Sequence, residues 1–316
     1  MKKILVIGEI LVEIMADTTG VGFKEPIALT GPFASGAPAI FIDQVARMGQ
    51  PCAILSTVGD DDFGRINLNR LAADGVDISG IAIDVDRPTG SAFVRYRADG
   101  SRDFIFNIRH SACGLLPDRE ASDRMFGLAD HLHVMGSSLS SPEIVALNLE
   151  AAQAVKARSG TVSFDPNLRK EILDAPGMRE AMTEVLNLTD LFLPSGDELF
   201  LLTVAEDESS AVHELFGHGI SAIAHKLGSK GVRHHDASGT MFIPAFAVDE
   251  VDPTGAGDCF GGAFTSLWLR GTETREALSL AAAAGALAVT KRGPMEGATG
   301  LETIRAFVRN HSKEGE

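Results

Sequence analysis

The sequence predicts an α/β protein organised around a doubly wound, mainly parallel sheet that is flanked by helices. Two observations support this fold class: short apolar runs typical of buried strands recur along the chain, and segments with helical spacing separate most of them. In such a sheet, ligands lie at the carboxyl ends of the strands. The chain has 316 residues, 45% of them apolar, and is therefore long enough to bury a large core.

The individual elements follow from these patterns. Buried parallel strands are predicted for the runs Lys3 to Ile7, Ala53 to Val58, His131 to Met135, Thr161 to Phe164, Leu191 to Leu193 and Ala222 to Leu227. Helices are predicted over residues 38–48, 62–74, 142–157, 176–187, 208–216, 257–270, 273–290 and 301–311. A further strand-like run extends from Met241 to Val251 and is ended by Pro253.

Two stretches, 11–34 and 89–108, lack helical spacing, and we expect them to form a smaller β-sheet that acts as a lid. Within the second stretch, Ser91 to Arg97 and Asp103 to Ile108 are predicted to pair as a hairpin. The α/β core then comprises residues 1–10, 35–88 and 109–316.

Composition excludes several functional classes. The formal net charge of −15 argues against a nucleic-acid partner, because affinity for a phosphate backbone rests on clustered lysine and arginine. Cys52, Cys113 and Cys259 are odd in number and widely spaced, which predicts reduced thiols in a cytoplasmic protein. The apolar run Ile4 to Ile7 is too short for a signal peptide, and no segment has the length of a membrane span, so no membrane partner is expected.

The segment Asp252-Pro253-Thr254-Gly255-Ala256-Gly257-Asp258 joins a turn to a predicted helix and is the most informative part of the chain. Its glycines allow the backbone to turn sharply and to approach a ligand closely. The unpaired N–H groups at the start of the helix, together with the helix dipole, favour a phosphate or the negative charge that develops on one. Asp258 lies in the first turn, where it either caps the helix or accepts a proton from a substrate hydroxyl.

This segment resembles the signature of the ribokinase-like sugar kinases, the phosphofructokinase-B type. Further landmarks of that family occur in the family's order along nearly the whole chain: Gly8-Glu9, Gly36-Ala37-Pro38-Ala39, Gly59-Asp60, Phe63-Gly64, Pro88-Thr89-Gly90, Asp165-Pro166-Asn167 with Arg169, and Gly228 with Gly231. The resemblance implies a ribokinase-like fold and a kinase that uses ATP and Mg²⁺, with Asp258 as the catalytic base and Gly255, Ala256 and Gly257 as the anion hole. It also implies that the β lid covers the sugar and mediates a homodimer, and that a monovalent cation affects activity.

On the sugar side the sequence departs from the family pattern. Family members carry a Gly-Gly and, a few positions on, an asparagine that binds sugar hydroxyls, whereas this chain has Gly36 followed by Ile40. Ile40 cannot make that bond, which leaves Asp43, a turn further along the same helix, as a candidate. Glu13 stands where fructokinase-like members have an aspartate that faces the sugar; a solvated charge at a strand end is the alternative.

Two arginines bear on the choice of sugar. In relatives that phosphorylate 2-keto-3-deoxygluconate, an arginine at the position of Arg169 and a second one in the lid hold the substrate carboxylate. Here Arg109 is two residues before Ser111-Ala112 rather than three, and Ile108 takes the expected position. This departure favours a neutral ketohexose such as fructose or tagatose, with the keto acid as the alternative, and both arginines stay candidates for substrate binding.

The nucleotide is expected at the ends of the later strands. Ser195-Gly196-Asp197-Glu198 represents the family's Asn-x-x-Glu, so that Glu198 would organise Mg²⁺ through water while Ser195 contacts the nucleotide. A capping box is a second interpretation of the same four residues and is compatible with the first. The other candidates for nucleotide binding, taken from the phosphate loop, the anion hole and the adenine loop of the family, are Lys226, Gly228, Gly231, Gly257 and Gly293.

Three polar clusters are interpreted as structural. His234-His235-Asp236 is predicted to be a solvent-facing turn, because neighbours on a strand point to opposite faces and cannot share one metal ion. His131 and His133 share a face and are predicted to pack against a helix. Asp60-Asp61-Asp62 is predicted to cap a helix.

Two functions from other classes are weighed against a kinase. A catalytically inactive sugar-binding regulatory protein is suggested by Ile40 and Ser195, although the intact segment Asp252 to Asp258 argues against it. A dinucleotide oxidoreductase is disfavoured, because the first strand ends in Gly8-Glu9 and is not followed by G-x-G-x-x-G.

Overall fold

Two sheets organise the molecule in the computed structural model. Its described residues are 1–20, 22–98, 102–139, 141–168 and 177–313. Within these ranges nine strands form a large sheet and four form a small one. The fold class predicted from the sequence is confirmed.

The large sheet is parallel except at one edge. Its strands are β1 (Ile4–Ile7), β4 (Cys52–Gly59), β5 (Ile81–Asp84), β8 (His131–Met135), β9 (Thr161–Asp165), β10 (Leu191–Phe192), β11 (Ala222–Lys226), β12 (Val232–Asp236) and β13 (Gly239–Ile243), and their spatial order is β13-β12-β11-β10-β9-β8-β1-β4-β5. The strands from β11 to β5 pair in parallel, whereas β12 and β13 add antiparallel neighbours. The carboxyl ends of the parallel strands therefore meet at one edge, where a ligand site is expected.

Helices cover both faces of this sheet. They are α1 (Ala37–Arg47), α2 (Asp62–Asp74), α3 (Arg119–Leu128), α4 (Pro142–Ala157), α5 (Met178–Leu186), α6 (Glu208–Gly217), α7 (Ala256–Leu269), α8 (Thr274–Ala288) and α9 (Leu301–Lys313). Alternate residues of β1 belong to opposite layers: Leu5 and Ile7 pack with α3 to α6, while Ile4 and Val6 pack with α1. Burial on both faces explains why the strands are continuous apolar runs.

The small sheet contains β2 (Leu11–Ala16), β3 (Leu29–Ser35), β6 (Gly90–Tyr96) and β7 (Arg102–Asn107) in the order β3-β2-β6-β7. β6 and β7 form the predicted hairpin, although residues 99–101 of its turn lie outside the described residues. Because side chains alternate along a strand, the register places Glu13 and Ala92 on one face with Val94 and Tyr96. That face is turned towards the core, since the exposed fractions of Ala92 and Val94 are zero.

Two predictions were wrong. His234 and His235 do not form a solvent-facing turn: they lie in β12, where they are only 3% and 6% exposed. They are buried because helices cover both faces of this strand, and His235 lies 3.1 Å from Glu208 at the start of α6. His234 packs edge-on against Phe264 of α7. The strand-like run from Met241 ends at Ile243 instead of Val251, since Pro244 has no N–H to donate to a neighbouring strand.

The other two polar clusters are structural, as predicted. His133 stacks on Phe41 of α1 with ring centroids 3.6 Å apart, and burial lowers the pKa of His131 to about 3, so this histidine is neutral at pH 7. Asp61 caps α2 by accepting a bond of 2.8 Å from the N–H of Gly64. The three cysteines are buried free thiols. Among the described helices, none combines the length and the apolar character that crossing a bilayer requires.

Candidate active site

Helix α7 begins at the carboxyl edge of the large sheet with the segment that the sequence singled out. Gly255 is its N-cap, with φ at +81°. A Cβ at this position would lie 2.3 Å from the carbonyl oxygen of Pro294 and 3.2 Å from Cγ2 of Ile40, so only glycine fits without a shift of the backbone. Because Gly255 occupies the cap, Asp258 is not the capping residue, and the first N–H groups of α7 stay available to an anion.

Asp258 projects from the first turn of α7 among other carboxylates. Its Oδ1 accepts a long bond of 3.4 Å from Nδ2 of Asn167, which follows β9. Burial and the neighbouring Asp165 carboxylate raise the pKa of Asp258 to about 7, and Glu9 and Glu13 act in the same direction. A carboxyl group with this pKa is matched to accepting a proton near neutral pH.

Lys226, at the end of β11, supplies a positive charge beside this carboxylate. Its ammonium group is paired with Asp165, at the end of β9, and lies 3.7 Å from the point where a side chain at Gly257 would begin. Burial by itself lowers the pKa of Lys226, but Asp165, Glu198 and Asp258 together raise it above its ordinary value. The ammonium group is therefore held in its charged form next to the predicted anion hole.

Glu198 is held in place by two backbone donors. The N–H of Leu168 donates to its Oε1 at 2.8 Å, and the N–H of Ser195 donates to its Oε2 at 2.7 Å. The second bond belongs to a capping box over the short 3₁₀ helix Gly196–Phe200, which confirms the capping interpretation of these residues. Burial and Asp165 raise the pKa of Glu198. A carboxylate fixed in this way retains lone pairs for water, as the proposed water-mediated contact with Mg²⁺ requires.

Three glycines predicted to bind nucleotide occupy left-handed positions in loops near these residues. Gly228 and Gly231, directly after β11, have φ at +58° and +121°, and a Cβ on Gly231 would lie 2.1 Å from the carbonyl oxygen of Ile243. Gly293, with φ at +111°, donates its N–H to Oδ2 of Asp252 at 2.9 Å. This bond ties the predicted adenine loop to the first residue of the anion-hole segment.

On the sugar side, Glu13 and Gly36 lie close to Glu9. Glu13 is 6% exposed and accepts a bond of 2.8 Å from the hydroxyl of Ser35, so the alternative of a solvated charge is wrong. Gly36 has φ at +111°, and a Cβ there would lie 2.4 Å from the carbonyl oxygen of Glu9. The carboxylate of Glu9 accepts hydroxyl bonds of 3.1 Å from Ser137 and 2.6 Å from Ser138.

Asp43 does not belong to this site. Its side chain is fully buried and forms ion pairs with Arg47 at 3.3 Å and Arg70 at 3.4 Å. Burial raises the pKa of Asp43 to about 7. Its role is therefore structural, at the contact between α1 and α2. Ile40, on the same helix, is 2% exposed and packs beside Gly255, which accounts for an apolar residue at that position.

Of the two predicted substrate arginines, the structure describes only Arg109. Arg109 is exposed and lines a cavity of about 660 Å³ together with Asp61, Phe63 and Phe106, and neither Asp258 nor the anion hole belongs to this lining. Arg169 lies outside the described residues.

Four residues without a predicted role lie around the start of α7: Asp165, Asn167, Tyr96 and Asp252. Oδ1 of Asp252 accepts bonds from the hydroxyl of Tyr96 at 2.8 Å and from the N–H of Thr254 at 3.0 Å. Tyr96 is the one tyrosine of the chain, which is a weak signal. Asp165 could have been inferred as a polar residue at the carboxyl end of a predicted strand.

Comparisons with known proteins agree with this geometry. A family model described as "pfkB family carbohydrate kinase" matches residues 1–299. Fructokinase-1 of Oryza sativa subsp. japonica is 32% identical over 90% of this chain and 91% of its own length, and the 2-dehydro-3-deoxygluconokinase of Thermoproteus tenax is 31% identical over 94% and 91%. Among solved structures, a putative Ribokinase II from E. coli in complex with ATP and Mg²⁺ is 48% identical, with a TM-score of 0.93 over 98% of this chain and all of that one.

Proposed function

Because the chain belongs to the pfkB family of carbohydrate kinases, we propose that it transfers the γ-phosphate of ATP to a hydroxyl of a small sugar, with Asp258 as the base. The position of Asp258 carries this proposal. Its carboxyl group, with a pKa of about 7, lies in the first turn of a helix whose N–H groups are free to bind an anion.

The chemistry assigned to this site is a single displacement. As the sugar oxygen forms its bond to the γ-phosphorus, the bond from that phosphorus to the bridging oxygen of ADP breaks, and Asp258 accepts the hydroxyl proton. The backbone amides of Gly255, Ala256 and Gly257 and the ammonium group of Lys226 stabilise the charge on the transferred group. The buried pair with Asp165 keeps that ammonium group charged and in position.

The nucleotide would lie along the carboxyl ends of β9 to β11. We assign its contacts to Ser195, Lys226, Gly228, Gly231, Gly257 and Gly293. Among the described residues, no cluster of three or more His, Cys, Asp or Glu side chains is suited to a metal ion. Mg²⁺ would therefore be held chiefly by phosphate and water oxygens, with Glu198 organising one such water, and would neutralise phosphate charge during transfer.

The charges around Asp258 favour a neutral sugar. Glu9 and Glu13 both raise the pKa of Asp258, which shows that negative charge is already concentrated here. A carboxylate on the substrate would be repelled by these groups. A polyol, by contrast, donates hydroxyl hydrogens to carboxylates. Arg109, which could hold a substrate carboxylate, lines a cavity whose lining includes neither Asp258 nor Glu13. We therefore propose a ketohexose such as fructose or tagatose, bound beneath the small sheet against Glu13 and Gly36. A dependence on a monovalent cation stays a prediction.

A screen of ADP release tests this assignment. The purified protein would be assayed with ATP and Mg²⁺ against fructose, tagatose, 2-keto-3-deoxygluconate and ribose. We expect kcat/KM for one of the ketohexoses to exceed that for the keto acid by roughly 100-fold or more. Preference for the keto acid would establish the alternative kinase function and would favour Arg169 as the residue that binds the substrate carboxylate. Sugar binding without any ADP release would instead support the inactive regulatory protein.

A further inference from the structure

The end of the β6–β7 hairpin reaches the turn that precedes the anion hole. Tyr96 and Arg102 face each other as the last paired residues of the hairpin. The Tyr96 hydroxyl donates to Oδ1 of Asp252 at 2.8 Å, and the Arg102 guanidinium donates to the hydroxyl of Thr254 at 2.7 Å. The small sheet is thus bonded to the first and third residues of the segment Asp252 to Asp258.

Asp252 joins three parts of the site at one buried carboxylate. Besides the Tyr96 hydroxyl, it accepts the N–H of Thr254 at 3.0 Å and the N–H of Gly293 at 2.9 Å. Asp252 is 1% exposed and Thr254 is 8% exposed, so each hairpin bond reaches a buried polar group, and its loss would remove one of the contacts that hold the turn. The orientation of the turn therefore depends on the hairpin.

The contact of Arg102 differs from that of its neighbours in the hairpin. Arg95 and Arg97 pair with the carboxylate of Asp103, at 2.6 Å and 2.8 Å, whereas Arg102 bonds to a neutral hydroxyl beside the start of α7. A guanidinium in that place adds positive charge next to a helix terminus that is itself positive. The Asp252 carboxylate, which accepts the N–H of Thr254, offsets part of this charge, and the remainder would attract a phosphate bound in the anion hole.

We propose that Tyr96 and Arg102 are positioning residues that hold the small sheet onto the Asp252–Thr254 turn and thereby set the anion hole. This inference rests on the proposed kinase function. If Tyr96 and Arg102 act in this way, the γ-phosphate site is correctly placed only when the small sheet is closed onto the turn. A sugar that stabilises the closed sheet would accordingly tighten the binding of ATP, and ATP would tighten the binding of sugar by the same factor.

The test uses Tyr96→Phe and Arg102→Met, each of which removes one bond and leaves most of the side chain. Arg97→Met is the matched control, because it removes an arginine from the same hairpin that pairs with Asp103. We expect both test variants to lower kcat by roughly 10-fold to 100-fold with little change in the KM for sugar. Fructose should also tighten the binding of a non-hydrolysable ATP analogue less than it does in the wild type.

Hydrogen exchange tests the positioning role of Tyr96 and Arg102 independently of the kinase activity. Amide exchange over residues 252–259 should be faster in Tyr96→Phe and Arg102→Met than in Arg97→Met, whether or not any sugar is phosphorylated. Faster exchange in a protein without turnover would contradict the kinase assignment and support the positioning role. Wild-type kcat and wild-type exchange in both test variants would overturn the positioning role and leave the kinase assignment intact.

Discussion

At the scale of single residues, the properties of the site follow from how charges are grouped around Asp258. An isolated aspartate at a helix start would be ionised well below pH 7 and would be a weak base. Burial and Asp165 bring the pKa of Asp258 to about 7, and the positive charge of Lys226 limits the rise. Asp165 therefore acts on both the base and the cation.

The pH dependence of kcat/KM should reflect the charges that surround Asp258. Asp258 must be ionised to accept a proton, so kcat/KM should rise with pH and level off above an apparent pKa of about 7. In Asp165→Asn a negative neighbour is lost and Lys226 is freed to pair with Asp258. Both changes lower the pKa of Asp258, so the rising limb should move to lower pH by roughly one unit.

The control for that profile is Asp123→Asn, an exposed position on α3 that pairs with Arg119 at 2.7 Å. Its rising limb should coincide with that of the wild type. A limb that stays in place in Asp165→Asn would show that another group controls the profile.

The sequence predicted some of these residues and could not predict others. Asp258 and Gly255 belong to one short segment, so the resemblance of that segment to the family signature was enough to predict their roles. Lys226 and Asp165 are 61 positions apart, and only the parallel pairing of β9 to β11 brings their charges together. The burial of Asp43 was likewise not predictable, because its partner Arg70 comes from a different helix.

At the scale of elements, the start of α7 is the part of the fold on which transfer depends. Glycine is required for different physical reasons at positions 255 and 257. Gly255 has positive φ and no room for a Cβ. Gly257 lies within the helix, and a Cβ there would meet only the ammonium group of Lys226, at 3.7 Å.

Alanine substitutions should distinguish the effect on stability at position 255 from the effect on catalysis at position 257. Gly255→Ala should lower the free energy of unfolding by roughly 2 kcal/mol or more, through left-handed strain and the clash with Pro294. Gly257→Ala should keep wild-type stability, since alanine suits a helix interior. Its kcat should nevertheless fall by roughly 10-fold to 100-fold, because the methyl group occupies space between the anion hole and Lys226. Denaturant unfolding and steady-state kinetics measure both effects, and a fully active Gly257→Ala would contradict the phosphate position.

Element prediction succeeded where apolar spacing was regular. The predicted helices over 62–74 and 142–157 coincide with α2 and α4. Helix α3 was missed because only a few apolar residues, such as Met125 and Phe126, mark its buried face. The strand of His234 and His235 was misread as a turn, because polar side chains in a covered strand look like a solvated segment when the sequence is read alone.

At the scale of the whole molecule, the two faces of the small sheet have different surroundings. One face carries Glu13 and Tyr96 and is turned towards the site. On the opposite face, Ile105 of the outer strand β7 is 51% exposed, and Leu29 of the other outer strand, β3, is 42% exposed. Exposed apolar residues on an outward sheet face are typical of an association surface. We therefore expect a homodimer that pairs through the small sheets.

Light scattering coupled to size exclusion tests this expectation. One chain has a mass of 33.4 kDa. Light scattering should therefore give twice this mass for the wild type and the mass of one chain for Ile105→Asp. Val204→Asp, at a position that is 92% exposed, is the matched control and should leave the dimer intact. A wild-type monomer at micromolar concentration would contradict the dimer.

The measurement that tests the kinase account most directly is a comparison of ATP binding and turnover in Asp258→Asn. This substitution keeps the size of the side chain and removes its ability to accept the hydroxyl proton. We predict a melting temperature and an ATP affinity close to those of the wild type, with kcat lower by roughly 10²-fold to 10⁴-fold. Turnover at the wild-type rate in a folded, ATP-binding Asp258→Asn protein would contradict the assignment of Asp258 as the base.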